Sequence, residues 1–220
     1  IFSGDAGTLG RTLAIATFVA KAEAWPDDPG AMLVVNISIN LLACIAVFFL
    51  ALGLARIRVK NYSDTQLVWI ATGASLLWGL SPFLATTNLM IIQRMASLAG
   101  FFVFTGLAAF VWAHLIIKEN EIAGRILLIS GLSFGTVLAA LAKENGLLLP
   151  LLALIILWFW IPKSERINCR TGKFIIFFLA ILPAFILCCY LANLSIQIFT
   201  AGYGPHRQFT PYERVLSQVW

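Results

Sequence analysis

From Ala31 to Leu54 the chain runs for 24 residues without one charged side chain. A helix needs about 20 apolar residues to cross a hydrocarbon core ~30 Å thick, so this stretch is predicted to span a membrane. Asp27, Asp28, Pro29 and Gly30 precede it as a turn, and Asp28 before Pro29 suits a helix N-cap followed by a first-turn proline. The rest of the chain has the same character: 60% of its 220 residues are hydrophobic and 11% are charged. Soluble domains carry about 25% charged residues. A soluble fold is therefore excluded, and most of this surface must face lipid.

Five further segments reach or approach spanning length: Gln66 to Ala85, Met95 to Ile117, Ile126 to Ala142, Gly146 to Ile161 and Phe174 to Phe199. The predicted fold is all-α and integral to the membrane, a bundle of about six transmembrane helices forming one multi-pass domain over 1–220. Residues 1–30 are read as an external interfacial segment, because Leu13, Phe18, Ala22 and Trp25 fall near one helical face while Arg11, Lys21 and Glu23 interrupt the run. Residues 31–199 hold the spans. Residues 200–220 hold glycines, prolines and ionisable side chains, read as an external loop and a helix start, with Thr210 to Glu213 as a capping box. Gly131 and Gly135 form a small-xxx-small face for close helix packing.

The net charge of +5 does not point to nucleic acid, because the 15 Lys and Arg are scattered singly rather than gathered into a stripe. They sort by side instead. The loops at 55–65, 118–125 and 162–173 alternate along a six-helix path and hold nine of the 15 basic residues, so the positive-inside rule puts them in the cytoplasm. The opposite face keeps six basic and six acidic residues. Mixed ions in short loops at membrane depth mark a polar site.

Arg94 stands out, lying beside Gln93 among apolar residues with no acid nearby. Its guanidinium is either a planar clamp for phosphate oxygens or the head of a side chain snorkelling from a helix end. Lys143, Glu144 and Asn145 make the polar break between two apolar helices, serving as a plain turn with an exposed ion pair or as a lysine, oriented by glutamate, that holds an anionic headgroup. Asp5 is a weak candidate for a catalytic carboxylate; His206 sits beside Arg207 without a second residue at metal-ligand spacing. The four cysteines show no CxxC spacing and suggest neither a disulfide framework nor zinc.

The motifs QRMASLAGFF (93–102), LAKENGLLLP (141–150) and FTPYERVLSQ (209–218), in this order with helices between them, resemble those of bacterial GT-C type multi-pass glycosyltransferases. These are relatives of the pilin glycosyltransferases and of the tetratricopeptide-tailed protein O-mannosyltransferases. SGDAGTLGRTL at the start and VVNISIN in the first span extend the likeness. The resemblance implies sugar transfer from a polyprenyl-phosphate donor to a protein or glycan acceptor on the non-cytoplasmic face, in a bacterial inner membrane with the site facing the periplasm. It implies no evident cofactor and leaves a divalent metal open. The positions that match the family's polar motifs are Arg11, Gln93, Arg94, Lys143, Glu144, Glu213 and Arg214. Donor phosphate binding is expected at Arg94 and Lys143 and, from the outer loop, at Arg207, with Arg11, Gln93, Glu144, Glu213 and Arg214 in support. On the family pattern the catalytic acid lies upstream of Gly10 and Arg11, so the chain is read as part of a longer GT-C-like protein with that acid before Ile1. It departs from the pattern at Thr12, where the family has proline, and at Asn40 and Ser81, where it has histidine. Two other readings stand beside this one: a transporter or flippase for an anionic lipid or solute, and a non-catalytic membrane subunit.

Overall fold

The computed structural model describes residues 11–24 and 27–201, and every regular element among them is helical. A short helix, α1 (Thr12–Val19), leads through the 3₁₀ turn Ala22–Ala24 to the long α2 (Pro29–Arg58). Asp28 caps α2 as expected, its carboxylate accepting from the Ala31 N–H at 3.2 Å with Pro29 in the first turn. α3 (Asp64–Gly79) starts with a reciprocal capping box between Ser63 and Gln66. It stops short of Pro82, which lacks an N–H and whose ring would collide with the carbonyl four residues back, and the chain resumes as α4 (Pro82–Leu89).

After the 3₁₀ turn Ile91–Gln93 come α5 (Arg94–Ile116) and α6 (Glu121–Ala142), the latter capped by Asn120. A second 3₁₀ turn (Glu144–Leu148) runs into α7 (Leu149–Ile155), which widens to a π turn at Ile156–Trp160. The last stretch joins α8 (Arg170–Ile176), a π turn at Phe177–Ile181 and α9 (Leu182–Ala201). Pro183 explains that widening, since it removes the N–H that would bond Leu179.

α5 is the central helix. Its Phe110 and Val111 pack with Ile57 of α2, Leu128 and Leu132 of α6, and Leu149 and Ala153 of α7. Lipid tails are as apolar as leucine, so such helices associate through close fit and interhelical hydrogen bonds rather than hydrophobic burial. Both are present. A Cβ on Gly131 would lie 2.7 Å from the Ala109 Cβ and 2.9 Å from the Gly106 carbonyl oxygen, so the small-residue face expected at Gly131 and Gly135 does bring two backbones together. Ser75 donates to the Cys44 carbonyl at 2.6 Å, and the Trp112 indole to the Phe49 carbonyl at 2.9 Å. Large apolar side chains such as Trp69, Leu77, Ile122, Phe134 and Phe159 point outward.

Four helical stretches among the described residues are long and apolar enough to cross a membrane: Pro29–Arg58, Ile91–Ile116, Glu121–Ala142 and Arg170–Asn193. The other two expected spans are shorter. The break before Pro82 leaves α3 with 16 residues, about 24 Å of helix, and the Glu144–Trp160 stretch also falls below spanning length. α3 ends with Gly79 against Cys44, midway along α2, and α4 continues to Asn88, whose carbonyl meets Asn36 near the start of α2. At one end Glu165 joins Lys60 at 2.7 Å and also Lys118, so the three basic loops meet there. At the other end lie Arg11, Arg94 and Glu144.

Candidate functional site

The Arg94 end is built from four separated stretches. Arg94, the first residue of α5, is 0% exposed. Its Nε donates to Asn36 Oδ1 at 2.7 Å, Nη1 to the Thr17 carbonyl at 3.0 Å, and Nη2 to the Met32 carbonyl at 2.8 Å and the Met32 sulfur at 3.4 Å. The guanidinium also lies 4.5 Å from the centre of the Phe18 ring. This overturns the snorkelling reading: the group is turned into the bundle, between α1 and α2. It is held by neutral oxygens and an aromatic face, with no carboxylate partner among the described residues. An isolated charge in a dry site is costly, and the oxygens and the ring offset part of that cost.

Asn36 is the residue that sequence reasoning passed over. It sits two turns into α2, fully buried, and its amide nitrogen donates to the carbonyls of Asn88 at 3.1 Å and Met90 at 3.3 Å. One side chain thus fixes the Arg94 fork and ties α2 to the turn before α5. The signal available was a polar residue within an otherwise charge-free span, which defaults to a functional or pairing role.

Arg11 immediately precedes α1 and bonds Glu144 at 3.2 Å, with its Nη1 3.6 Å from the Met95 sulfur. Its backbone is left-handed at φ 47°, the one non-glycine positive φ among the described residues. The expectation that Glu144 orients Lys143 is therefore corrected. Lys143 has an extended backbone (φ −160°, ψ 146°), so successive side chains leave on opposite sides, and the carboxylate reaches Arg11 instead. Burial acts to raise the Glu144 pKa, but its own backbone N–H, Arg11 and the nearby Lys143 charge hold it below its usual value. Lys143 is half-buried, and its ammonium has no ion-pair or hydrogen-bond partner among the described residues. Gln93 occupies the residue before Arg94, half-buried, and does not cap α5 with its side chain.

The cluster of Arg11, Arg94, Lys143 and Glu144 carries three positive charges against one negative. Beside it a cavity of about 480 Å³ is lined by Phe18, Val19, Ala22, Met32, Ile91 and Ile92. The lining is apolar and Arg94 lies behind Phe18 and Met32 of it, an arrangement suited to an apolar chain that carries an anion. No three His, Cys, Asp or Glu side chains gather as a metal site among the described residues. Asp5, His206, Arg207, Glu213 and Arg214 lie outside the described residues. No family model, curated protein or solved structure matches the chain.

Proposed function

We propose that the chain is part of a membrane glycosyltransferase that moves a sugar from a polyprenyl-phosphate donor to a hydroxyl of a protein or glycan acceptor. One observation carries the reading. The motif segments that fall among the described residues converge, with Asn36 of VVNISIN on Arg94 of QRMAS, and Arg11 of the opening Gly-Arg pair on both Met95 and Glu144 of LAKENG. Residues 133 positions apart in sequence share one ion pair, which suits a single site better than four unrelated turns.

In this reading the donor phosphate is held by Arg94 together with Lys143, whose ammonium has no partner among the described residues. As the acceptor oxygen bonds to the anomeric carbon, the bond from that carbon to the phosphate oxygen breaks and polyprenyl phosphate leaves with the electron pair. The acceptor proton passes to a carboxylate, for which Asp5 is this chain's candidate. Fixed positive charge aimed at the departing phosphate lowers the barrier because the phosphate gains negative charge in the transition state. The chain crosses the membrane six times, the 66–85 and 146–161 stretches included, with α1 at the interface and the site facing the periplasm of a bacterial inner membrane. That Asn88 meets Asn36 near the start of α2, while Glu144 pairs with Arg11 and Glu165 with Lys60, supports that path.

The test is Lys143→Ala in the full-length protein, reconstituted with undecaprenyl-phosphate-linked sugar as donor. Transfer is expected to fall about a hundredfold while membrane insertion is unchanged. Undiminished transfer by the inserted variant overturns the assignment, as does uptake of the donor into the vesicle without any glycosylated product.

A further inference from the structure

α1 has only eight residues, too few to hold a helix without tertiary contacts, and two arginines pin it. Its leading residue Arg11 grips Glu144 on the far side of α6, and Arg94 of α5 grips its Thr17 carbonyl and its Phe18 ring. Three features set this apart from ordinary packing. The Arg11 backbone adopts a left-handed conformation that a bulky residue rarely takes, and such outliers collect at clamps and switches. The Arg11–Glu144 pair remains partly open to solvent, with about 30% and 28% of the two side chains accessible. Beside the second half of α1 lies an open depression of about 480 Å³, lined by Phe18, Val19 and Ala22 together with Met32, Ile91 and Ile92.

We propose that α1 is a hinged cover over Arg94, latched by the Arg11–Glu144 pair, and that an anionic headgroup opens it by taking the place of the Thr17 carbonyl on Arg94 Nη1. This rests on the donor reading above and deepens it. Of the three oxygens around the guanidinium, those of Met32 and Asn36 belong to α2 and stay when α1 swings away. The bond that is lost is the Thr17 bond, made by the nitrogen facing α1. A phosphate oxygen there replaces a neutral acceptor with a charged one, which is the stronger bond, and supplies a counter-charge that no carboxylate among the described residues provides. By linkage, a ligand that binds the open state must populate it.

Ala14, on α1 and 0% exposed, reports the state of the cover. In the full-length protein with Cys44, Cys169, Cys188 and Cys189 replaced by serine, Ala14→Cys is expected to react slowly with a membrane-impermeant maleimide. Adding Glu144→Gln is expected to speed labelling about fivefold, the factor set by loss of a partly exposed ion pair. The double swap Arg11→Glu with Glu144→Arg returns the slow rate. Undecaprenyl phosphate in neutral-lipid nanodiscs, its binding measured separately, also speeds labelling. Equal rates with and without Glu144→Gln overturn the latch, and binding of undecaprenyl phosphate without faster labelling overturns the opening by an anion. Faster labelling on Glu144→Gln in a protein that binds no undecaprenyl phosphate upholds the latch and strikes the donor reading instead.

Discussion

Arg94 and Asn36, 58 positions apart, face each other at 2.7 Å with both side chains fully buried, the guanidinium donating and the amide oxygen accepting. The amide nitrogen of the same asparagine passes two further bonds to the Asn88 and Met90 carbonyls. Asn36→Ala should therefore leave a buried cation short of a partner and free two carbonyls. We expect a loss of about 1–3 kcal/mol, read as a lower melting temperature in detergent. A melt unchanged from wild type would show that water or lipid replaces the asparagine at no cost.

Gly131 meets α5 backbone to backbone, and its missing Cβ would fall 2.9 Å from the Gly106 carbonyl oxygen. Since neither side can move without shifting a helix, Gly131→Val is expected to destabilise by about 1–3 kcal/mol. Gly73, with open space where its Cβ would stand, supplies the control: Gly73→Val should melt near wild type.

Lys118 and Lys60 hold the Glu165 carboxyl down to about 2 from an ordinary 4.5. A depressed folded-state pKa contributes stability that is present above the unfolded value and lost as pH falls through the folded one. Acidification from pH 4.5 toward 2 should thus erode part of the stability. Glu165→Gln is expected to melt lower at pH 7 and to show a weaker dependence across that window, and parallel melting curves for the two proteins would refute it.

The meeting of Lys60, Lys118 and Glu165 requires their three loops to share one face of the membrane. Cysteines placed at Asn61 and Ser164, in a background without native cysteine, should react with an impermeant reagent from the same side, and one at Asn145 from the other. Labelling of Asn61→Cys and Asn145→Cys from a common side would break the six-crossing path.

Much of this was readable without coordinates wherever the governing interaction is local or compositional. Asp28 caps α2 because the capping bond spans three residues, and the start of α5 at Arg94 and the end of α6 at Ala142 follow the edges of apolar runs. The reading of Lys143 and Glu144 as partners failed for a local reason as well: adjacent side chains on an extended backbone diverge. The break at Pro82 was written in the sequence, yet hydropathy averaged across it and predicted one span where α3 and α4 are two helices.

By itself the sequence determined that the chain is a helical membrane protein, which stretches are apolar enough to enter lipid, and which few polar residues stand among them, because the bilayer penalises unpaired backbone and charge residue by residue. Only the tertiary structure decided where those polar residues go. That Arg94 turns inward onto Asn36, Met32 and Thr17, and that Arg11 takes Glu144 from Lys143, depends on which helices lie side by side. In lipid that choice is made by close fit at positions such as Gly106 and Gly131, a matching of surfaces that one-dimensional patterning does not encode.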